Sequence, residues 1–235
     1  MLVAKDIFSQ IEKITSNLIE LALCMDQNFP SIKKLNHSIE EVNMCSIESS
    51  YNSSIFLKNI SYGDMYYELC KRRMYNIKMI DGALIQMQYR FNGNSIESHR
   101  LAFFPSPNLD IFQNEPDIYF EDEIYSDILD ARIVTVPLRF DFDDSEDQNG
   151  NKVAIPVIHP ISHLTIGQYK NCRIPVSSAI TPYQFIEFII RNFYNTAFEL
   201  YSDKLVRDKK CFDVCICADE KKIFNICSPV YWNGD

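Results

Sequence analysis

The sequence predicts an α+β fold, a mainly antiparallel sheet packed on one face by helices. Three observations carry that expectation. Apolar residues recur every three or four positions near the N-terminus and again over 182–201, which is the period of a helix. Over 85–91 the period is two: Ile85, Met87, Tyr89 and Phe91 alternate with Gln86, Gln88 and Arg90. Asn92-Gly93 follows at once, the strongest short hairpin signal in the chain. The organisation expected is a single α+β domain over 1–235, with 1–48 as an N-terminal helical extension packed on it.

Taken in order, residues 4–26 read as an amphipathic helix, with Ile7, Ile11, Ile14, Leu18, Leu21 and Met25 on one side and Pro30 beyond its end. Residues 31–45 read as a second helix on the spacing of Ile32, Leu35, Ile39 and Val42; His37 falls off that stripe and is expected on the surface. Residues 49–54, SSYNSS, are a polar loop, and Asp64 caps a helix reaching about Asn76. The hairpin's return strand is SIESHRLAFF, stopped by Pro105 and Pro107.

Short strands are expected near 118–120 and over 133–142. Asn149-Gly150 reverses the acidic stretch DDSEDQNGNK, and the chain returns as VAIPVIHP and HLTIG. Antiparallel pairing of HLTIG with PLRFDFD would place His163 and Thr165 beside Arg139, Asp141 and Asp143 on one sheet face. Thr181-Pro182-Tyr183-Gln184 is a capping box with proline at the first helical position. It opens a helix to about Tyr201 that is apolar nearly all round and therefore buried; Phe193 counts among its core residues. A last hairpin is expected around 219–222.

Composition narrows the function classes. The net charge is −9 and the pI about 5.0, which disfavours a free-standing nucleic-acid binder but leaves room for a local site. The eight cysteines are scattered through apolar segments, the pattern of reduced thiols in a cytoplasmic protein. Cys211, Cys215, Cys217 and Cys227 lack the knuckle spacing of a zinc site and read as buried thiols. No stretch approaches the roughly 18 apolar residues of a membrane span. No cofactor motif is present.

The blocks DGALIQMQY, SHRLAFFPSP, VPLRFDFD, HPISHLTIGQYKNCRIPV and FIEFIIRNFYN, in this order, resemble a bacterial family known as domain-of-unknown-function family 2290. The blocks fall within about 60–200; the N-terminal helices and the last hairpin match least well. The resemblance implies no activity. It implies a bacterial, cytosolic, single-domain protein, and this kind of family suggests an interaction or accessory subunit in a phage-defence or mobile-element module. A protein partner or homo-oligomer is the corresponding expectation.

One constellation carries chemistry of its own. His159-Pro160-x-x-His163 sets two imidazoles four residues apart, with Thr165 and Arg173 close by. One imidazole would take a proton and the other give one, while Arg173 would hold a phosphate; the class is a metal-independent phosphodiesterase or ribonuclease. HLTI also resembles one half of the paired motif of two-histidine phosphoesterases, but His37 and His99 are not followed by a matching second half. The alternative is that His159 and His163 bond backbone groups and fix a turn. A metal bound by these histidines with Asp141 or Asp143 has no fixed ligand spacing behind it. The binding face expected from the strand periods carries Gln86, Arg90, Arg139, Asp141 and Thr165.

Overall fold

The computed structural model describes residues 1–44, 60–109, 112, 114–119, 121–129 and 136–229. Its frame is a nine-stranded, antiparallel sheet: β1 Cys24–Gln27, β2 Pro30–Lys34, β3 Ile39–Met44, β4 Ile77–Met79, β5 Leu84–Asn92, β6 Ser95–Phe104, β7 Leu138–Asp143, β8 Ser162–Ile166 and β9 Ile174–Pro175. The path runs β1-β4-β5-β6-β7-β8-β9, and the β2–β3 hairpin joins at β5. The expectation of an α+β fold with helices on one face of an antiparallel sheet holds.

Four helices are described: α1 Ala4–Glu20, α2 Tyr62–Lys71, α3 Pro182–Phe193 and α4 Asn195–Tyr201. α1 and α3 cover one face. Ile7, Ile11, Ile14 and Leu18 of α1 and Phe185, Ile186, Ile189 and Ile190 of α3 meet Ile85, Met87, Leu101, Phe103, Phe140 and Leu164 from the strands, all buried. The predicted capping box of α3 is present, with Gln184 N–H on Thr181 Oγ1 at 3.3 Å and Thr181 N–H on Gln184 Oε1 at 2.9 Å. Just ahead of it, Ile180 N–H donates to His99 Nε2 and its carbonyl accepts from Tyr89 Oη, so two strands hold the start of α3 against the sheet.

Several boundaries differ from the sequence-based expectation. Residues 31–45 are not a helix: the described part forms the β2–β3 hairpin. The 3–4 spacing of Ile32, Leu35, Ile39 and Val42 is satisfied across a turn, where Ile32 pairs with Val42 and Asn36 Oδ1 accepts from Ser38 and Ile39 N–H. α1 stops at Glu20 because Ala22 takes a left-handed φ of +57° and Leu23 N–H closes on Leu18 O; no glycine marks this end. α2 stops the same way at Arg73, φ +53°, and its N-cap is Ser61 with Asp64 three residues in. Near 118–120 the described residues make a 3₁₀ turn, Pro116–Ile118, and of 133–142 the strand is Leu138–Asp143. Residues 49–54 and 133–135 lie outside the described residues.

The helix expected to run to Tyr201 breaks at Tyr194, which is buried while Phe193 is only half-buried. No paired hairpin forms around 219–222; Ser178 and Val176 bridge to Val214 and Ile226 instead, and Glu220–Lys222 is a 3₁₀ turn. The hairpin formed in place of the expected second helix adds two strands to the sheet.

Candidate functional site

The face opposite α1 and α3 is built by strand parity. Cross-strand register pairs Glu41 with Arg90, Arg90 with Ser98, Gln88 with Arg100, Arg100 with Asp141, Asp141 with His163 and Arg139 with Thr165. These residues alternate with the core side chains, so they share one face. α2 covers one end of it: Met65, Tyr66 and Leu69 pack on Leu84, Ala102 and Phe104 in a second apolar cluster. Beyond α2 the face is open, and a pocket of about 440 Å³ lies there.

His163 is buried, at 3% exposure. Its Nδ1 lies 2.9 Å from the Pro160 carbonyl, which only a protonated Nδ1 satisfies, so Nε2 carries the lone pair of the neutral ring. Nε2 stands 3.7 Å from Asp141 Oδ2, too far for a hydrogen bond. Burial lowers the His163 pKa below its ordinary value; Asp141 opposes this, while the charges of His159 and Arg173 add to it.

His159 enters beside His163 through a small closed loop. Ile155 and His159 exchange backbone hydrogen bonds of 2.9 and 2.7 Å, Val157 takes φ +67°, and Val157 N–H reaches the buried Glu220 carboxylate at 3.3 Å. A β-branched residue at positive φ is strained, so this loop is held by its anchors rather than by local preference. The stretch expected as a return strand, VAIPVIHP, is thus a loop. It brings the two imidazole centroids to 5.2 Å.

Charges are distributed unevenly around the pocket. Asp141 receives Arg139 Nε at 2.5 Å and Arg100 Nε at 3.2 Å. Burial would raise its pKa, but the two guanidinium groups and His163 outweigh that and hold it below the usual carboxylate value. Arg90 is shared by Glu41, at 3.1 Å, and Glu97, at 3.5 Å. Arg173 lines the same pocket and makes no ion pair or hydrogen bond with the described residues. Among the described residues Arg173 is thus a cation without an ion partner beside two imidazoles, an arrangement suited to an oxyanion and to proton transfer. Among the described residues no three His, Cys, Asp or Glu side chains converge as a metal site.

The model of the family described as "Uncharacterized conserved protein (DUF2290)" matches residues 23–228. The chain belongs to this family. The match takes in all nine strands and every pocket residue, and leaves α1 outside. No curated protein and no solved structure matches the chain.

Of the residues singled out in the sequence, His159, His163, Arg173, Arg139, Asp141 and Arg90 all line this pocket. Thr165 faces a neighbouring cavity that shares Arg139 with it. Gln86 is in neither: it is fully buried, and its side-chain amide donates to the Met74 carbonyl beneath α2. His99 lies on the core face, between Tyr89 and Phe142. Arg100 and Glu41 escaped sequence reasoning. The alternation in SIESHRLAFF puts Arg100 opposite His99, and Lys33-Lys34 facing Glu40-Glu41 is a charge pattern suited to paired strands, so both signals were present. The described cysteines, all but Cys45, are free thiols.

No helix among the described residues is long and apolar enough to cross a membrane.

Proposed function

We infer that the pocket supports metal-independent cleavage of a phosphodiester, in the manner of a ribonuclease. The observation that carries this reading is the pair of imidazoles 5.2 Å apart, with an arginine on the same wall that has no partner among the described residues. Nδ1–H of His163 is committed to Pro160, so Nε2 is the base. It would take the proton of a ribose 2′-hydroxyl. The oxygen attacks phosphorus, the bond to the 5′-oxygen breaks, and His159 returns a proton to that oxygen. The products are a 2′,3′-cyclic phosphate and a 5′-hydroxyl. Arg173 holds the non-bridging oxygens, where a guanidinium contributes through two parallel hydrogen bonds. RNA brings its own nucleophile, so this chemistry requires no metal-activated water.

The test is cleavage of a labelled single-stranded RNA in EDTA. The wild type should give cyclic-phosphate ends, and His159→Ala, whose ring makes no hydrogen bond with the described residues, should be slower by about 100-fold or more. Because the base acts when neutral, the acid-side fall of the rate should lie below the ordinary histidine value of 6.5, at the lowered pKa of His163. No cleavage by the wild type, or an unchanged rate in His159→Ala, would overturn the reading.

A second reading, a subunit that engages a protein partner or another copy of itself, draws on a separate observation. Ile155 and Ile158 stand 52% and 69% exposed on the loop that carries His159. Failure of the RNA assay together with purification in a complex with a native partner would favour it.

A further inference from the structure

The phosphodiester chemistry leaves the second cavity on this face unused. It encloses about 330 Å³ and adjoins the first at Arg139, which lines both. The buried side chains Met65 and Phe104 give it an apolar floor, and the more exposed Thr165, Gln168 and Tyr169 stand around its mouth. Tyr169 is 75% exposed, yet its ring is placed by the backbone beneath it. Gly167 turns at φ +61° and donates its N–H to Pro137 O at 2.7 Å; a Cβ at that position would come within 3.2 Å of the Tyr169 ring. The glycine thus serves both the turn and the close approach of the aromatic ring. Among the described residues the Thr165 hydroxyl has no hydrogen bond, and Arg139 is tied to Asp141 through Nε alone, leaving its terminal nitrogens uncommitted.

We propose that this cavity is a base subsite, so that the ligand of the whole face is a nucleoside phosphate, with its phosphate at His159, His163 and Arg173 and its base beside Tyr169. The proposal rests on the phosphodiester reading and names its substrate class. His163 and Thr165 lie two residues apart on β8, a step of about 6.6–6.8 Å along one side of a strand. That separation suits a phosphate and a base joined through a ribose. A flat aromatic group entering the cavity meets a tyrosine ring, an apolar floor and the unpaired polar atoms of Thr165 and Arg139. This is how single-stranded bases are held by proteins, through stacking on an aromatic side chain together with hydrogen bonds to the base edge.

Calorimetric titration with AMP and with ribose 5-phosphate tests it, using the full chain, Tyr169→Ala and Arg173→Ala. The wild type should bind AMP at least about 5-fold more tightly than ribose 5-phosphate, the lower end of what stacking on one aromatic ring contributes. Tyr169→Ala should remove that preference and leave ribose 5-phosphate binding unchanged. Equal wild-type affinities, or a preference that survives Tyr169→Ala, would overturn the base subsite. Arg173→Ala should weaken both ligands together; ribose 5-phosphate binding insensitive to this change would instead overturn the phosphate placement, which is the earlier reading. An adenylate trimer that binds more tightly than AMP assigns the subsite to a strand, and equal binding assigns it to the mononucleotide.

Discussion

His163 and His99 illustrate how one residue type is put to two uses. His163 lies at the edge of the pocket with its tautomer fixed by Pro160. His99 is enclosed between Tyr89 and Phe142, accepts the Ile180 N–H through Nε2, and has no partner for Nδ1 among the described residues. Burial pushes its pKa from 6.5 down to about 4, against the attraction of Asp141. An unfolded histidine binds a proton in that interval while the folded one does not, so the native state is destabilised as pH falls from 6.5 towards 4. At about 1.36 kcal/mol per unit the loss amounts to about 3 kcal/mol. His99→Gln keeps an acceptor for Ile180 but cannot charge. It should cost about 1–2 kcal/mol at pH 7, since the packing and hydrogen bond are imperfectly replaced. Its further loss between pH 6.5 and 4 should be about 3 kcal/mol smaller than that of the wild type, by the same linkage. Urea midpoints at both pH values decide the matter; parallel pH profiles would show that His99 is not the titrating group.

Among the elements, the break between α3 and α4 is set by one side chain. Tyr194 is buried and donates its hydroxyl to Asp81 Oδ1 at 2.8 Å, and Asp81 also accepts Ala83 N–H at 3.0 Å. Burial raises the Asp81 pKa, which these donors oppose. Tyr194→Phe removes one donor from a buried carboxyl and should cost about 1–3 kcal/mol, measured by chemical denaturation; an unchanged midpoint would mean the bond contributes nothing. This contact also shows what local pattern does and does not reveal. The capping box, the Asn-Gly hairpin and the β7–β8 pairing were all legible, because each depends on residues near in sequence or on strict alternation. The pairing put His163 opposite Asp141 and Thr165 opposite Arg139, as the strand periods implied. The β2–β3 hairpin was misread because its apolar spacing fits a helix as well as it fits two strands around Asn36. Gln86 was placed on the open face by parity alone. Parity gives the side of the sheet correctly, but only the tertiary position of α2 determines that this end is covered.

Over the whole molecule, α1 and α3 pack on one sheet face and α2 covers one end of the other, so the polar residues line the part of that face that no described helix covers. The net charge of −9 describes the surface at large and not this face. Arg90, Arg100, Arg139 and Arg173 gather on it, and the carboxylates of Glu41, Glu97 and Asp141 engage all of them except Arg173. Asp143 also lines the pocket, so four carboxylates balance the four guanidinium groups, and the pull on an anion comes from Arg173 locally rather than from a net positive face. The central claim is that His159, His163 and Arg173 hold one oxyanion together. The most direct measurement follows the imidazole carbon-bound protons of His159 and His163 by NMR while inorganic phosphate is added, because it presupposes no leaving group and no base. Both resonances should move with a single saturating curve, and Arg173→Ala should weaken that curve by about 10-fold or more, the loss of a charge-assisted pair. Resonances that stay still at saturating phosphate, or that move identically in Arg173→Ala, would contradict the account.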